Sequence, residues 1–223
     1  MDIRKQIGEE LLLFDGAMGT MLQAYGMKAG QNPEALNLED PELLGRIHRE
    51  YVEAGAQFIT TNTFGANAYK LEETGYSVTE VITAAVEIAK TATAGTEAKV
   101  ALDIGPVGKM MKPIGLLDFD QAYDYFREQV MIGAAAGADL ILIETMSDLA
   151  EMRAAVLAAK ENSDLPIFAT MTFTEDGNTL TGTEPEIMAL SLDALGVDVL
   201  GVNCSLGPKE LIPIIKRMLA FTN

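Results

Sequence analysis

Short apolar runs alternate with longer stretches of helical periodicity along almost the whole chain. The runs are Leu11 to Phe14, Gln57 to Thr61, Val100 to Ile104, Leu140 to Glu144, Ile167 to Phe173 and Val199 to Asn203. Between them, apolar positions recur every three or four residues, as at Leu43, Leu44, Ile47, Tyr51 and Val52, which is the signature of an amphipathic helix. Further helices are expected at 41–54, 66–73, 78–93, 119–136, 149–162 and 209–221. Asp148 with Glu151, and Thr183 with Glu186, stand at capping-box spacing at the starts of two helices. Ala54-Gly55-Ala56, Ala136-Gly137-Ala138 and Leu195-Gly196-Val197 precede three of the runs, and glycine there can end a helix in a left-handed turn.

Six strand-helix units in regular order imply a parallel sheet, because parallel neighbours need a crossover of helix length. An open, doubly wound sheet and a closed barrel both use such units. Gly16-Ala17-Met18-Gly19 lacks the glycine spacing of a dinucleotide fingerprint, and no acidic residue ends the second run. The pattern therefore favours a (β/α)8 TIM barrel with about six of its eight units present. Residues 1–223 are expected to form one barrel domain lacking the last two strand-helix units.

With 223 residues and 48% apolar content the chain can bury a substantial core as one domain. The 33 acidic residues exceed the 16 basic ones, for a formal net charge of −17. Such a surface repels phosphate backbones and anionic lipid, so nucleic acid and membrane are not expected partners. No apolar stretch is long enough to span a bilayer, and the N-terminus lacks the apolar core of a signal peptide. A cytoplasmic location is expected, in keeping with a single cysteine.

Candidate chemistry lies at the carboxyl ends of three runs: Asp15-Gly16-Ala17-Met18-Gly19-Thr20, Glu144-Thr145 and Asn203-Cys204-Ser205. In a strand-helix repeat these ends meet on one rim. Negative neighbours disfavour thiolate formation, so Cys204 makes better sense as a metal ligand than as a free nucleophile. The acids would then face a cationic group of the substrate, a combination pointing to zinc-thiolate chemistry on an amino acid. Each residue also has a plainer reading. Asp-Gly after an apolar run is commonly a turn, and a lone cysteine at a strand end is commonly a small buried hydrophobe. Glu144 is the stronger signal, since a carboxylate directly after Leu140 to Ile143 is expensive to bury unpartnered. His48, the only histidine, falls mid-helix and reads as structural. Met18, Met21, Met110 and Met111 read as core filling before pocket lining.

Phe14-Asp15-Gly16-Ala17-Met18-Gly19-Thr20, Ile47-His48-Arg49-Glu50-Tyr51 with Ala54-Gly55-Ala56, Thr60-Thr61-Asn62-Thr63-Phe64, Ile143-Glu144-Thr145 and Gly201-Val202-Asn203-Cys204 occur in this order. Together they resemble the homocysteine S-methyltransferase family, in particular its homocysteine-binding modules of the cobalamin-dependent methionine synthase type. The resemblance runs from about Leu11 onward. It implies a zinc-dependent barrel that transfers a methyl group to the sulfur of homocysteine, giving methionine. It also implies that Asp15 and Glu144 accept hydrogen bonds from the substrate ammonium, that the amides of Gly16 to Thr20 hold its carboxylate, and that Asn203 orients the site. The methyl donor is left open by the sequence, since cobalamin, folate, betaine or S-methylmethionine would each be recognised elsewhere; the resemblance favours methylcobalamin, with a cobalamin-binding domain or protein as partner. Zinc in this family is held by a cysteine after strand six and by an adjacent cysteine pair further on. Cys204 matches the first, and the sequence has no other cysteine to match the pair. One alternative is thus a catalytically incomplete fragment that binds homocysteine or metal weakly. A barrel lyase or aldolase would want a lysine or histidine near a strand end, and neither is evident.

Overall fold

The computed structural model describes residues 3–222. Its centre is one five-stranded sheet made of β1 (Phe58–Thr60), β2 (Lys99–Ile104), β3 (Leu140–Met146), β4 (Ile167–Met171) and β5 (Val199–Val202). All neighbours pair in parallel, in the order β1-β2-β3-β4-β5. A doubly wound sheet reverses its strand order at a switch point, whereas this one never does, and that is the order of a barrel wall. The helices are α1 (Met18–Ala24), α2 (Leu36–Glu39), α3 (Pro41–Glu53), α4 (Ala68–Leu71), α5 (Val78–Thr93), α6 (Phe119–Ala136), α7 (Leu149–Asn162), α8 (Pro185–Leu195) and α9 (Pro208–Met218). No helix among the described residues is long and apolar enough to cross a membrane.

Local chemistry sets the helix ends. The Asp40 side chain accepts from Leu43 N at 3.1 Å with Pro41 at the first helical position, and Ser77 and Glu80 form a reciprocal capping box on α5. Gly137 and Gly196 end α6 and α8 with φ of 96° and 69°, and Gly55 follows α3 with φ of 101°, so all three small-residue signals mark left-handed turns. Neither expected capping box closes. Asp148 caps α7 through Ala150 N, but the Glu151 carboxylate accepts from Val107 N at 2.8 Å instead of returning to its own helix. Glu186 is held by Arg217 on α9 at 2.5 and 2.6 Å, and α8 begins at Pro185, which has no N–H to cap.

The first apolar run does not become a strand. Its one ladder position is the bridge between Phe14 and Phe58, because the Gln57 side chain takes the Leu13 N–H at 2.8 Å and stops pairing from extending backward. The segment expected to be helical over 66–73 shortens to α4, capped by the Asn67 side chain.

Side chains alternate across the strands with period two, and the two faces pack differently. Ile59, Val100, Leu102, Ile104, Ile141, Ile143, Ile167, Ala169 and Met171 join the helices in the main core. Gly133 on α6 lies so close to Leu102 that a Cβ there would overlap it. The other face gathers Phe58, Ala101, Leu140 and Phe168 with Phe14, Leu142 and Val199, and Ile3 and Ile7 pack against the same group. Phe14 stacks on Phe58 with ring centroids 4.7 Å apart, and both tilt against Phe168 at 5.8 and 6.4 Å. These three rings form an apolar floor within the curve of the sheet. Phe58→Ala should therefore cost about 3–5 kcal/mol of stability through the cavity it leaves, read as a lower denaturant midpoint with an unchanged m-value.

Candidate active site

Two residues beyond the floor on each strand, the same face turns polar. Phe58 is followed by Thr60, Ala101 by Asp103, Leu142 by Glu144 and Phe168 by Thr170, while Val199 leads through Gly201 to Asn203. The register sets these residues beside one another: Thr60 pairs with Ala101, Asp103 with Leu142, Leu142 with Phe168, and Thr170 with Gly201. A ring of hydroxyls, carboxyls and one carboxamide thus caps the phenylalanine floor at the carboxyl ends of the strands.

Asp15 enters this ring from the segment after Phe14. Its carboxylate accepts from Thr60 N and Thr60 Oγ1, both at 2.9 Å. Burial nonetheless pushes its pKa up to about 7, with the Glu144 charge adding to the rise and the Thr60 hydrogen bonds opposing it. Glu144 is half-buried, and burial raises its pKa too, against hydrogen bonds from Asp103, Thr145 and Asn203 that lower it.

Asn203 holds three strands' ends together. Its Oδ1 accepts from Thr145 N at 3.0 Å and from Thr170 Oγ1 at 2.9 Å. Its Nδ2 donates to Glu144 Oε2 at 2.8 Å and Thr145 Oγ1 at 2.6 Å, and approaches Cys204 Sγ at 3.5 Å. Because a backbone N–H can only donate, the atom facing Thr145 N must be the carboxamide oxygen, which fixes the orientation of the amide. Thr145, Cys204 and Ser205 have φ of 62°, 54° and 57°, a left-handed conformation that costs non-glycine residues energy and clusters at functional sites. The Asn203 amide bonds hold Thr145 in it, and Ser205 Oγ donates to Phe173 O at 2.6 Å.

The structure thus brings Asp15, Glu144, Asn203 and Cys204 to one rim. Gly16 to Thr20 follow Asp15 directly: a Cβ at Gly16 would overlap the Tyr51 hydroxyl, and α1 begins at Met18 with no side-chain cap, so its first amides are left without that partner. His48 is fully buried in α3 with neither ring nitrogen hydrogen-bonded, and burial lowers its pKa to about 4. Met111 is buried and Met18 and Met21 pack beside Leu22, while Met110 is partly exposed.

Cys204 is exposed and free, and no group of three or more His, Cys, Asp or Glu among the described residues is arranged to hold a metal ion. One thiol cannot form the closed or three-ligand shell that zinc requires, so these residues alone do not fit a zinc site.

Sequence reasoning passed over Asp103. Its signal is the same one that singles out Glu144, a lone carboxylate in an apolar run. It is 7% exposed, and its Oδ1 has no hydrogen-bond partner.

Protonation in this layer has a consequence for stability. The pKa of Asp15 rises from 3.8 to about 7, and that of Glu151 rises from 4.5 to about 7, chiefly through burial. Between about pH 4 and 7 the folded chain keeps protons that the unfolded chain loses, so stability falls as pH rises through that window. Asp15→Asn should remove part of this slope and raise stability at pH 8 by on the order of 1–3 kcal/mol, measured by denaturation across pH.

The homocysteine S-methyltransferase family model matches residues 12–223. The methionine synthases of Mycobacterium leprae and Mycobacterium tuberculosis are 31% and 32% identical over 238 and 240 aligned residues, each covering 97% of this chain. The chain spans only about a fifth of those relatives' length, 19% and 20%. Among solved structures, the metallated form of the homocysteine methyltransferase MmuM from Escherichia coli superimposes with a TM-score of 0.86 at 23% identity, covering 100% of this chain and 84% of that one. Its apo form gives 0.79 at 25% identity, with 100% and 82% covered. The family match over nearly the whole chain, on a barrel-ordered parallel sheet, shows that this chain belongs to the homocysteine S-methyltransferase family.

Proposed function

We propose that the rim binds homocysteine and presents its thiol for methylation to methionine. The observation that carries this reading is the set of carboxyls gathered above an apolar floor at the strand ends. Asp15 and Glu144 both have raised pKa values from burial, and a substrate ammonium would supply the positive charge their surroundings lack. The amides from Gly16 to Thr20 would take the substrate carboxylate, since a glycine-bearing turn exposes N–H groups without obstruction. Asn203 would keep the Glu144 carboxylate aimed at the ammonium and hold Cys204 beside the thiol end.

Family membership makes zinc the expected cofactor, and likeness to the methionine synthases favours methylcobalamin as methyl donor with a cobalamin-binding domain or protein as partner. Of the described residues, Cys204 alone would offer zinc a thiolate. Two further strand-helix units would close the barrel between β5 and the Phe14 segment. The apolar side chains left exposed nearest those edges, such as Leu13 and Leu219, support that completion. The ligand shortage favours a chain that by itself holds substrate without turning it over.

Two measurements test the reading. In a complete barrel, Glu144→Gln should weaken homocysteine binding, followed by calorimetry, by about 1–3 kcal/mol, the loss of a charge-assisted hydrogen bond, with metal content unchanged. Loss of zinc with unchanged homocysteine affinity would instead make Glu144 a ligand. A chain of residues 1–223, dialysed against a mild chelator, should retain well under one equivalent of zinc by elemental analysis, because a single thiolate cannot hold the metal.

A further inference from the structure

Asp103 is the one carboxyl of the rim that neither the family motifs nor the reading above employs. On β2 it pairs with Leu142, and Glu144, two residues further along β3, projects from the same face. The Asp103 side chain lies within hydrogen-bonding reach of Glu144, is 7% exposed, and leaves Oδ1 without a partner. The charged groups facing it are Glu144 from β3, Asp15 from the segment beside β1, Glu34 from the loop before α2, and Lys70 from α4. Lys70 Nζ is already committed to Pro106 O at 2.8 Å, and Glu34 accepts from Gly65 N at 2.6 Å. Apart from this lysine, the surroundings are anionic. Two carboxyls in contact in such a place cannot both be ionised, and burial together with the Glu144 charge drives Asp103 far toward its protonated form.

We infer that Asp103 and Glu144 share one proton in the free protein and release it to solvent when the ammonium group of an amino acid enters the rim. The inference rests on the ammonium-binding reading above. The balance is simple: the O–H bond of Asp103 breaks, its electron pair stays on the carboxylate, the proton leaves to water, and an N–H of the incoming ammonium takes its place between the two carboxylates. The Asp103 carboxyl, which has no N–H donor on Oδ1 among its neighbours, is the acceptor left for that donor. A neutral amine-lacking analogue could not expel the proton, so proton release discriminates amino acids from their desamino counterparts.

Methionine is the suitable probe, because it carries the same ammonium and carboxylate as homocysteine but no ionisable thiol. Titration calorimetry at pH 7 in two buffers of different ionisation enthalpy counts the protons released per methionine bound. Asp103→Asn keeps the size of the side chain and a hydrogen-bond donor toward Glu144, and should lower that count by about one while methionine still binds. The infrared difference between the free wild-type protein and Asp103→Asn at pH 7 should show a protonated-carboxyl stretch beyond those of Asp15 and Glu151, and methionine should remove the same band from the wild type. Methionine binding with the same proton count in wild type and Asp103→Asn would overturn the inference, as would absence of that infrared band. If the band is present but methionine does not bind, the ammonium-site reading fails, and this inference fails with it.

Discussion

Everything at the rim follows from placing carboxyls over a floor of three phenylalanine rings. Phe14, Phe58 and Phe168 keep water from the underside of the ring, so Asp15, Asp103 and Glu144 are ionised only at a cost that ordinary surface carboxylates do not meet. The protein offsets that cost partly with Thr60 and Asn203 hydrogen bonds and partly by holding protons. Carboxyls gathered this way destabilise the fold once they are ionised.

The same floor explains why the supporting contacts are so specific. Asn203 orients Glu144, restrains the left-handed Thr145 and reaches Cys204, so strands β3, β4 and β5 end in one hydrogen-bonded unit. On the other side of the rim, one peptide plane is gripped from both ends. Lys70 Nζ donates to Pro106 O, and Glu151 accepts from Val107 N, the carbonyl and amide of a single peptide unit. That grip fixes how the chain leaves β2 just past Asp103. It also accounts for Glu151 being buried on a helix face where a carboxylate would otherwise be unwelcome.

The Asp103–Glu144 pair adds a proton to this picture. Where a protein with a net charge of −17 must gather three carboxyls in one recess, a shared proton is the least costly way to keep them together until a cation arrives. Lys70 alone does not neutralise them, because its ammonium is directed at a backbone carbonyl.

Periodicity by itself determined the strand-helix order, the parallel sheet and the small-residue turns, since apolar spacing and left-handed glycines act over a few residues. The lone carboxylate in Leu140 to Glu144 stood out in the sequence because burial cost is local, and Val100 to Ile104 carried the same mark at Asp103. Tertiary structure decided what depends on partners distant in the chain. It reduced Leu11 to Phe14 to one bridge because Gln57 took its amide, and it drew Glu151 and Glu186 away from their own helix caps toward Val107 and Arg217. It alone set Asp103 against Glu144, because strand register, which no local pattern encodes, brings a residue of β2 beside one of β3.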